Sequence, residues 1–214
     1  MYTLIIANKN YSSWSMRPWL LMTQFGIPFH EMFIPLFQPD TQARLRAQSP
    51  SGRVPCLIDG DLSVWDSLAI CEYLAERHPG LWPADPADRA VARAVCAEMH
   101  SGFTALRSQY GMNIRRRSPR TVTDPALAAD IARIEAIWNT CRTRSGAAGP
   151  YLFGAFSIAD AYYAPVCFRF QTYGVIPQGV AGEYLSMMLR TSSLLTLTAQ
   201  AAAEPESIAE YDRL

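Results

Sequence analysis

Between residues 10 and 19 the chain reads Asn-Tyr-Ser-Ser-Trp-Ser-Met-Arg-Pro-Trp, with hydroxyls at Ser12, Ser13 and Ser15 and a cation at Arg17. Hydroxyls just ahead of an apolar helical run cap its N-terminus and aim at its positive end. That end also stabilises an anion such as a thiolate. Two readings of the serines are open: caps alone, or caps that also address a ligand. A second cluster, Ser49-Pro50-Ser51-Gly52-Arg53-Val54-Pro55, carries a Val-Pro step into what reads as an internal strand. Proline removes a ladder donor there. The step is either an ordinary trans proline at a strand start or a cis turn. In the second case the Val54 backbone could pair with a peptide-like ligand as an added strand does. A third cluster, Trp65-Asp66-Ser67-Leu68-Ala69-Ile70, opens a helix. Asp66 can pair with an ammonium, while Ser67 and the helix N–H groups can hold a carboxylate. The same two residues serve equally as a cap. Ser157-Ile158-Ala159-Asp160 has capping-box spacing and reads as structural.

These residues need elements to carry them. Residues 2–7 read as a short strand, 8–15 as a polar loop, and 16–25 as a helix that tolerates Pro18 in its first turn and stops at Gly26. Residues 29–35 alternate as a strand, 39–48 form a short helix, and 54–58 and 62–65 are strands joined by the Asp59-Gly60-Asp61 turn. Residues 67–77 complete a β-α-β-(α)-β-β-α order, the layout of a thioredoxin-like domain. Residues 78–86, rich in proline and glycine, read as a linker. Beyond it the β signal fades. Helical spacing covers 87–110, 123–143, 158–173 and 183–190, and the Ala199 to Ala203 run reads as a helix end or tail. In the second of these stretches Leu127, Ile131, Ile134, Trp138 and Cys141 share one face, leaving Asp130, Arg133, Glu135 and Arg142 to solvent. The expected fold is therefore α/β plus all-α: a thioredoxin-like unit over residues 1–79 and an all-helical unit over residues 86–214.

Composition narrows the function classes. The 214 residues are 50% hydrophobic and 18% charged, enough to build a core, with 19 basic and 19 acidic side chains in balance. Nucleic-acid binders usually carry a basic excess, so no nucleic-acid partner is expected. No apolar run reaches the length of a membrane span, and the N-terminus lacks a basic leader segment. The expected location is the cytoplasm, with no membrane contact. The cysteines Cys56, Cys71, Cys96, Cys141 and Cys167 are odd in number and show no Cys-x-x-Cys pair, which argues against disulfides and a zinc ribbon. His30, His78 and His100 are far apart, and no metal is expected.

Each cluster alone is weak, but their order and spacing are specific. The serine turn with Arg17, the Arg53-Val54-Pro55 step, the Asp66-Ser67 pair and the Ser157 to Asp160 helix start together resemble the glutathione S-transferase superfamily over essentially the whole chain. The Ser-Ser-x-Ser-x-Arg pattern is similar to serine-type members of zeta and tau kind. Asp66 stands where many members carry glutamate or glutamine, and Trp14 replaces a cysteine common in zeta-type enzymes. The resemblance implies glutathione as co-substrate and no metal. Ser12 matches the catalytic serine, with Ser13 as the alternative one residue away. Val54, presented by Pro55, would meet the cysteinyl backbone, Asp66 and Ser67 the γ-glutamyl group, and Arg53 the glycine carboxylate.

In that setting the serine is a hydrogen-bond donor to sulfur rather than a nucleophile. A free thiol titrates near pH ~8.5, and lowering it by about two pH units takes roughly 2.7 kcal/mol. A hydrogen bond to a charged group supplies about 1.5–3 kcal/mol and a helix terminus about 0.3–1 kcal/mol, so the two suffice. An electrophile pocket is expected from Tyr110, Met112 and Arg115, and from Arg169 and Tyr173 four residues apart on one helix face. Its cationic and aromatic mix suits an anionic, partly apolar substrate. Arg115 to Arg117 read equally as a solvated helix end, and Arg169 as half of an internal ion pair. The expected activity is thiolate attack on a small electrophile. Alternatives are a glutathione-dependent cis-trans isomerase resembling maleylacetoacetate isomerase, and a non-catalytic glutathione-binding protein. The resemblance also implies a homodimer.

Overall fold

The computed structural model describes residues 1–145 and 148–213. Its first part alternates strand and helix: β1 (Tyr2–Ile6), α1 (Ser13–Gln24), β2 (Phe29–Phe33), α2 (Thr41–Gln48), β3 (Cys56–Asp59), β4 (Leu62–Trp65) and α3 (Ser67–Arg77). The strands form one four-stranded sheet in the order β2-β1-β3-β4. β1 runs parallel to β2 and antiparallel to β3, and β3 and β4 are an antiparallel hairpin. This is the thioredoxin-like arrangement expected from the element order.

The rest is helical: α4 (Pro86–Ser101), α5 (Thr104–Gln109), α6 (Pro125–Ser145), α7 (Ile158–Tyr173), α8 (Gly179–Met188), α9 (Ser192–Ala203) and α10 (Ala209–Arg213). The axis of the molecule is α7. Every residue of it except Gln171 is buried, and it packs against both α1 and α4. Its start is fixed by the capping box read from the sequence. The Ser157 hydroxyl accepts from Ala159 N, and the Asp160 carboxylate accepts from Ser157 N at 2.9 Å. Leu127, Ile131, Ile134, Trp138 and Cys141 are all buried, as their spacing required. Cys56 and Cys71 are buried too, and all five cysteines are free.

Several boundaries differ from expectation, each for a local reason. Helix α1 begins at Ser13 rather than Met16, because Ser12 caps it, and Pro18 therefore lies in its second turn. The stretch 87–110 is two helices. Gly102 closes α4 where a Cβ would come 2.8 Å from the Glu98 carbonyl oxygen, and Phe103 takes a left-handed φ of 55°. Helix α8 starts at Gly179, ahead of the expected 183, and the alanine run is the end of α9. Asp130 and Arg142 are not left to solvent. Asp130 accepts from Leu106 N at 3.0 Å, and Arg142 donates to the Gly149 and Tyr151 carbonyls.

Candidate functional site

The serine turn lies where β1 feeds α1. Ser12 is 7% exposed, and its hydroxyl accepts from Ser15 N at 3.3 Å and lies 2.9 Å from the Ser15 hydroxyl. Ser15 in turn accepts from Ala7 N at 3.1 Å, tying the helix start to the end of β1. The Ser13 hydroxyl points instead toward Arg169, whose Nη2 is 3.4 Å away. Both Ser12 and Ser13 line a cavity of about 510 Å³, the outer cavity.

A second, inner cavity of about 620 Å³ adjoins it, and the two share Trp14, Arg53, Val54 and Arg107 in their walls. The inner cavity brings together Arg53, Val54, Pro55, Asp66 and Ser67, the full set of residues expected for glutathione. The Val54-Pro55 bond is cis. Asp66 holds a left-handed φ of 74°, uncommon for a residue with a side chain. From there its Oδ1 caps α3 by accepting from Leu68 N at 2.8 Å and Ala69 N at 3.3 Å, while Oδ2 lies 3.3 Å from His100 Nε2. Ser67 is buried, with its hydroxyl 2.9 Å from the Tyr162 hydroxyl of α7.

Cations gather beneath and beside these cavities. Arg17 is 2% exposed, with its guanidinium 4.3 Å from the Trp14 ring centroid and 4.6 Å from that of Tyr162. Its Nε and Nη1 are buried without a hydrogen-bond partner among the described residues. Burial first, and the positive field of Arg107 second, push Arg17 down to about 10. Arg169 is pushed down to about 10 by burial, then by Arg17 and Arg107. At neutral pH both remain cations, partly offset by the aromatic faces around Arg17 and by the Tyr110 carbonyl that Arg169 meets.

The expected electrophile residues separate into two groups. Met112 and Arg169 line the outer cavity. Tyr110 and Tyr173 do not; they are buried and stack on each other at 4.1 Å. Arg115 also lies off the cavity wall. It binds the C-terminal segment through the Glu204 and Glu206 carbonyls, each at 2.8 Å, and donates to the Tyr11 hydroxyl at 2.9 Å. The walls also hold residues that went unread as site residues in the sequence, among them Trp14, His100 and Arg107. His100 and Arg107 belong to helical segments with no motif of their own. Among the described residues no group of three or more His, Cys, Asp or Glu side chains could hold a metal ion. No described helix is long and apolar enough to cross a membrane.

Known proteins share both parts of this arrangement. Glutathione S-transferase F14 of Arabidopsis thaliana is 29% identical over 157 residues, covering 69% of this chain and 61% of that protein. A stringent starvation protein A homolog of Histophilus somni is 26% identical over 155 residues, 69% of this chain and 68% of that one. A probable maleylacetoacetate isomerase of Caenorhabditis elegans is 31% identical over 100 residues, 46% of each chain. The aligned part thus spans from about half to about two thirds of these relatives. Among solved structures, a glutathione transferase homolog from Burkholderia with bound glutathione superposes with a TM-score of 0.71 at 20% identity, covering 95% of this chain and 98% of that one. Residues 11–77 match the family described as glutathione S-transferase, N-terminal domain, and residues 124–186 match glutathione S-transferase, C-terminal domain. With the strand-rich unit and the helical unit each matched in sequence and in order, the chain belongs to the glutathione S-transferase superfamily.

Proposed function

We propose that this protein is a glutathione S-transferase that binds glutathione in the inner cavity and delivers its thiolate to an electrophile in the outer one. The observation that carries this reading is the convergence of Arg53, Val54, Pro55, Asp66 and Ser67 on a cavity continuous with the one that Ser12 and Ser13 line. In this reading Asp66 takes the γ-glutamyl ammonium, Ser67 and the start of α3 its carboxylate, the Val54 backbone the cysteinyl unit, and Arg53 the glycine carboxylate. Residues 1–79 form the glutathione-binding unit and residues 86–214 contribute the electrophile site. Catalysis needs no metal.

Ser12 can serve the sulfur without giving up its cap. A hydroxyl has one hydrogen to donate and two lone pairs to accept with. The Ser12 hydroxyl donates to the Ser15 hydroxyl in this structure, and in this reading that hydrogen turns to the sulfur when the thiolate arrives, while Ser12 goes on accepting from Ser15 N. The thiol proton passes to water, sulfur forms the new C–S bond, and the leaving group departs with its bonding pair. Ser12→Ala should therefore cut turnover with a simple aryl halide by about 10–100-fold, as loss of one charge-assisted hydrogen bond implies, while glutathione still binds. Full turnover in that variant would refute the assignment.

Glutathione affinity without turnover on aryl halides, hydroperoxides or cis-dicarboxylic acids would favour a binding protein, a reading supported by the similarity to a stringent starvation protein homolog. Turnover confined to cis-dicarboxylic acids would favour an isomerase, as similarity to a probable maleylacetoacetate isomerase suggests. A cytoplasmic homodimer completes the proposal. Leu62 and Trp65, each 48% exposed on strand β4, are apolar surface that a second copy would cover.

A further inference from the structure

Around Trp14 the positive charges outnumber what glutathione can answer. Arg17 and Arg107 lie 4.3 and 4.6 Å from its ring centroid, and Arg169 reaches the neighbouring Ser13 hydroxyl. Arg53 closes the far wall of both cavities. None of these four takes part in an ion pair among the described residues. The nearby carboxylates are engaged elsewhere. Asp66 caps α3 and faces His100, Glu204 accepts from Lys9 N and Asn10 N, and Asp212 accepts from Tyr11 and Asn113. Cations crowded in a partly desolvated space without counter-charge raise one another's energy, and an entering anion relieves it.

The glutathione placement proposed above uses Arg53 for one carboxylate and the start of α3 for the other. The thiolate faces the serines. Arg107 is left over. Its Nη1 donates to the His100 carbonyl at 3.2 Å and the Gly102 carbonyl at 3.4 Å, which hold the guanidinium in place against Trp14. It borders both cavities, where the sulfur and the second substrate must meet. A guanidinium so fixed is a preformed fork for a planar oxyanion. Leu36, Leu45, Met112 and Tyr211 supply an apolar wall to the same outer cavity.

We propose that the outer cavity selects an electrophile carrying a carboxylate on an apolar or aromatic body, and that Arg107 is the residue that reads the carboxylate. This rests on glutathione occupying the inner cavity. The probes are glutathione, S-benzylglutathione and S-(4-carboxybenzyl)glutathione, which differ only in what they place in the outer cavity, titrated calorimetrically against the purified protein. The wild-type protein should bind the carboxybenzyl conjugate about tenfold more tightly than the benzyl one, and the ratio should shrink as salt rises. Arg107→Gln should bring the ratio to about one, and Arg107→Lys should keep part of it, since the charge stays and the fork is lost. A wild-type ratio near one, or an unchanged ratio in Arg107→Gln, overturns the proposal. Should Arg107→Gln fail to fold, the wild-type ratio, its salt dependence and Arg107→Lys decide. If the wild-type protein binds the conjugates but without preference, only this inference falls. If it binds none of the three, the glutathione reading falls and takes this one with it.

Discussion

At the scale of single residues the decisive accounting is that of the Ser12 hydroxyl, which sits between a helix start and a cavity. Ser12 accepts from Ser15 N and donates to the Ser15 hydroxyl, which is itself held by Ala7 N. Ser15→Ala should therefore act twice. It leaves the buried Ala7 N–H without its acceptor, at a cost of about 1–3 kcal/mol, and it frees Ser12 to rotate away from sulfur. A lower urea midpoint together with a several-fold lower kcat would bear this out, and unchanged kcat would separate Ser15 from the reaction. Ser13, directed at Arg169, should matter less, so Ser13→Ala is expected to stay within about threefold of the parent, under ~0.7 kcal/mol. His100 touches both Asp66 and the Trp14 ring, whose centroid lies 5.2 Å away. His100→Ala should raise the KM for glutathione several-fold with little change in kcat, because it loosens the Asp66 carboxylate rather than the sulfur.

At the scale of elements, α7 depends on an ionisable group in its first turn. Asp160 is fully buried and accepts from Leu152 N, Ser157 N, the Ser157 hydroxyl and the Tyr184 hydroxyl. Burial outweighs those bonds and pushes its carboxyl up to about 6. A folded-state value above the unfolded one, ~3.9 for an aspartate, means the folded state binds the proton more tightly. The stabilisation from that proton is complete below about pH 4 and is lost as pH rises through about 6. Two pH units of separation correspond to roughly 3 kcal/mol. Urea unfolding of the parent and of Asp160→Asn at pH 4.5 and 7.5 tests this. The parent should lose more stability than the variant over that interval, and parallel slopes would refute the assignment. Local signals marked this helix from its cap at Ser157 to Tyr173, the span observed. They did not mark the break between α4 and α5, because the apolar spacing of 87–110 runs through Gly102 and only the close approach to Glu98 shows why the chain must turn there.

At the scale of the whole molecule, the C-terminal segment crosses back over the first unit and closes the outer cavity. Tyr11 donates to Asp212 at 3.0 Å and accepts from Arg115 and Ile208 N, while Tyr211 lies against the rings of Tyr11 and Phe37 and lines the cavity. Tyr211→Ala should widen that cavity and raise the KM for the electrophile several-fold while leaving the KM for glutathione close to the parent value. Equal changes in both constants would mean that the segment supports the fold rather than the second substrate's site. The residues proposed to hold glutathione could be picked out because each sits at the end of an element, where serine, aspartate and proline leave local marks. Arg115 was not, since nothing in the run Arg115-Arg116-Arg117 tells that one arginine binds a segment ending about ninety residues later, at Glu204 and Glu206.

By itself the sequence determined the type and order of the elements of the first unit, which face of α6 is buried, and which short motifs could meet a tripeptide, because capping, periodicity and turn chemistry act over a few residues. Tertiary structure alone decided the partners of the long cationic side chains. Whether Arg17, Arg107 and Arg169 face solvent, a carboxylate or an aromatic ring depends on how α1, α5 and α7 come together, and a guanidinium on a flexible stem carries no local signature of what it will meet.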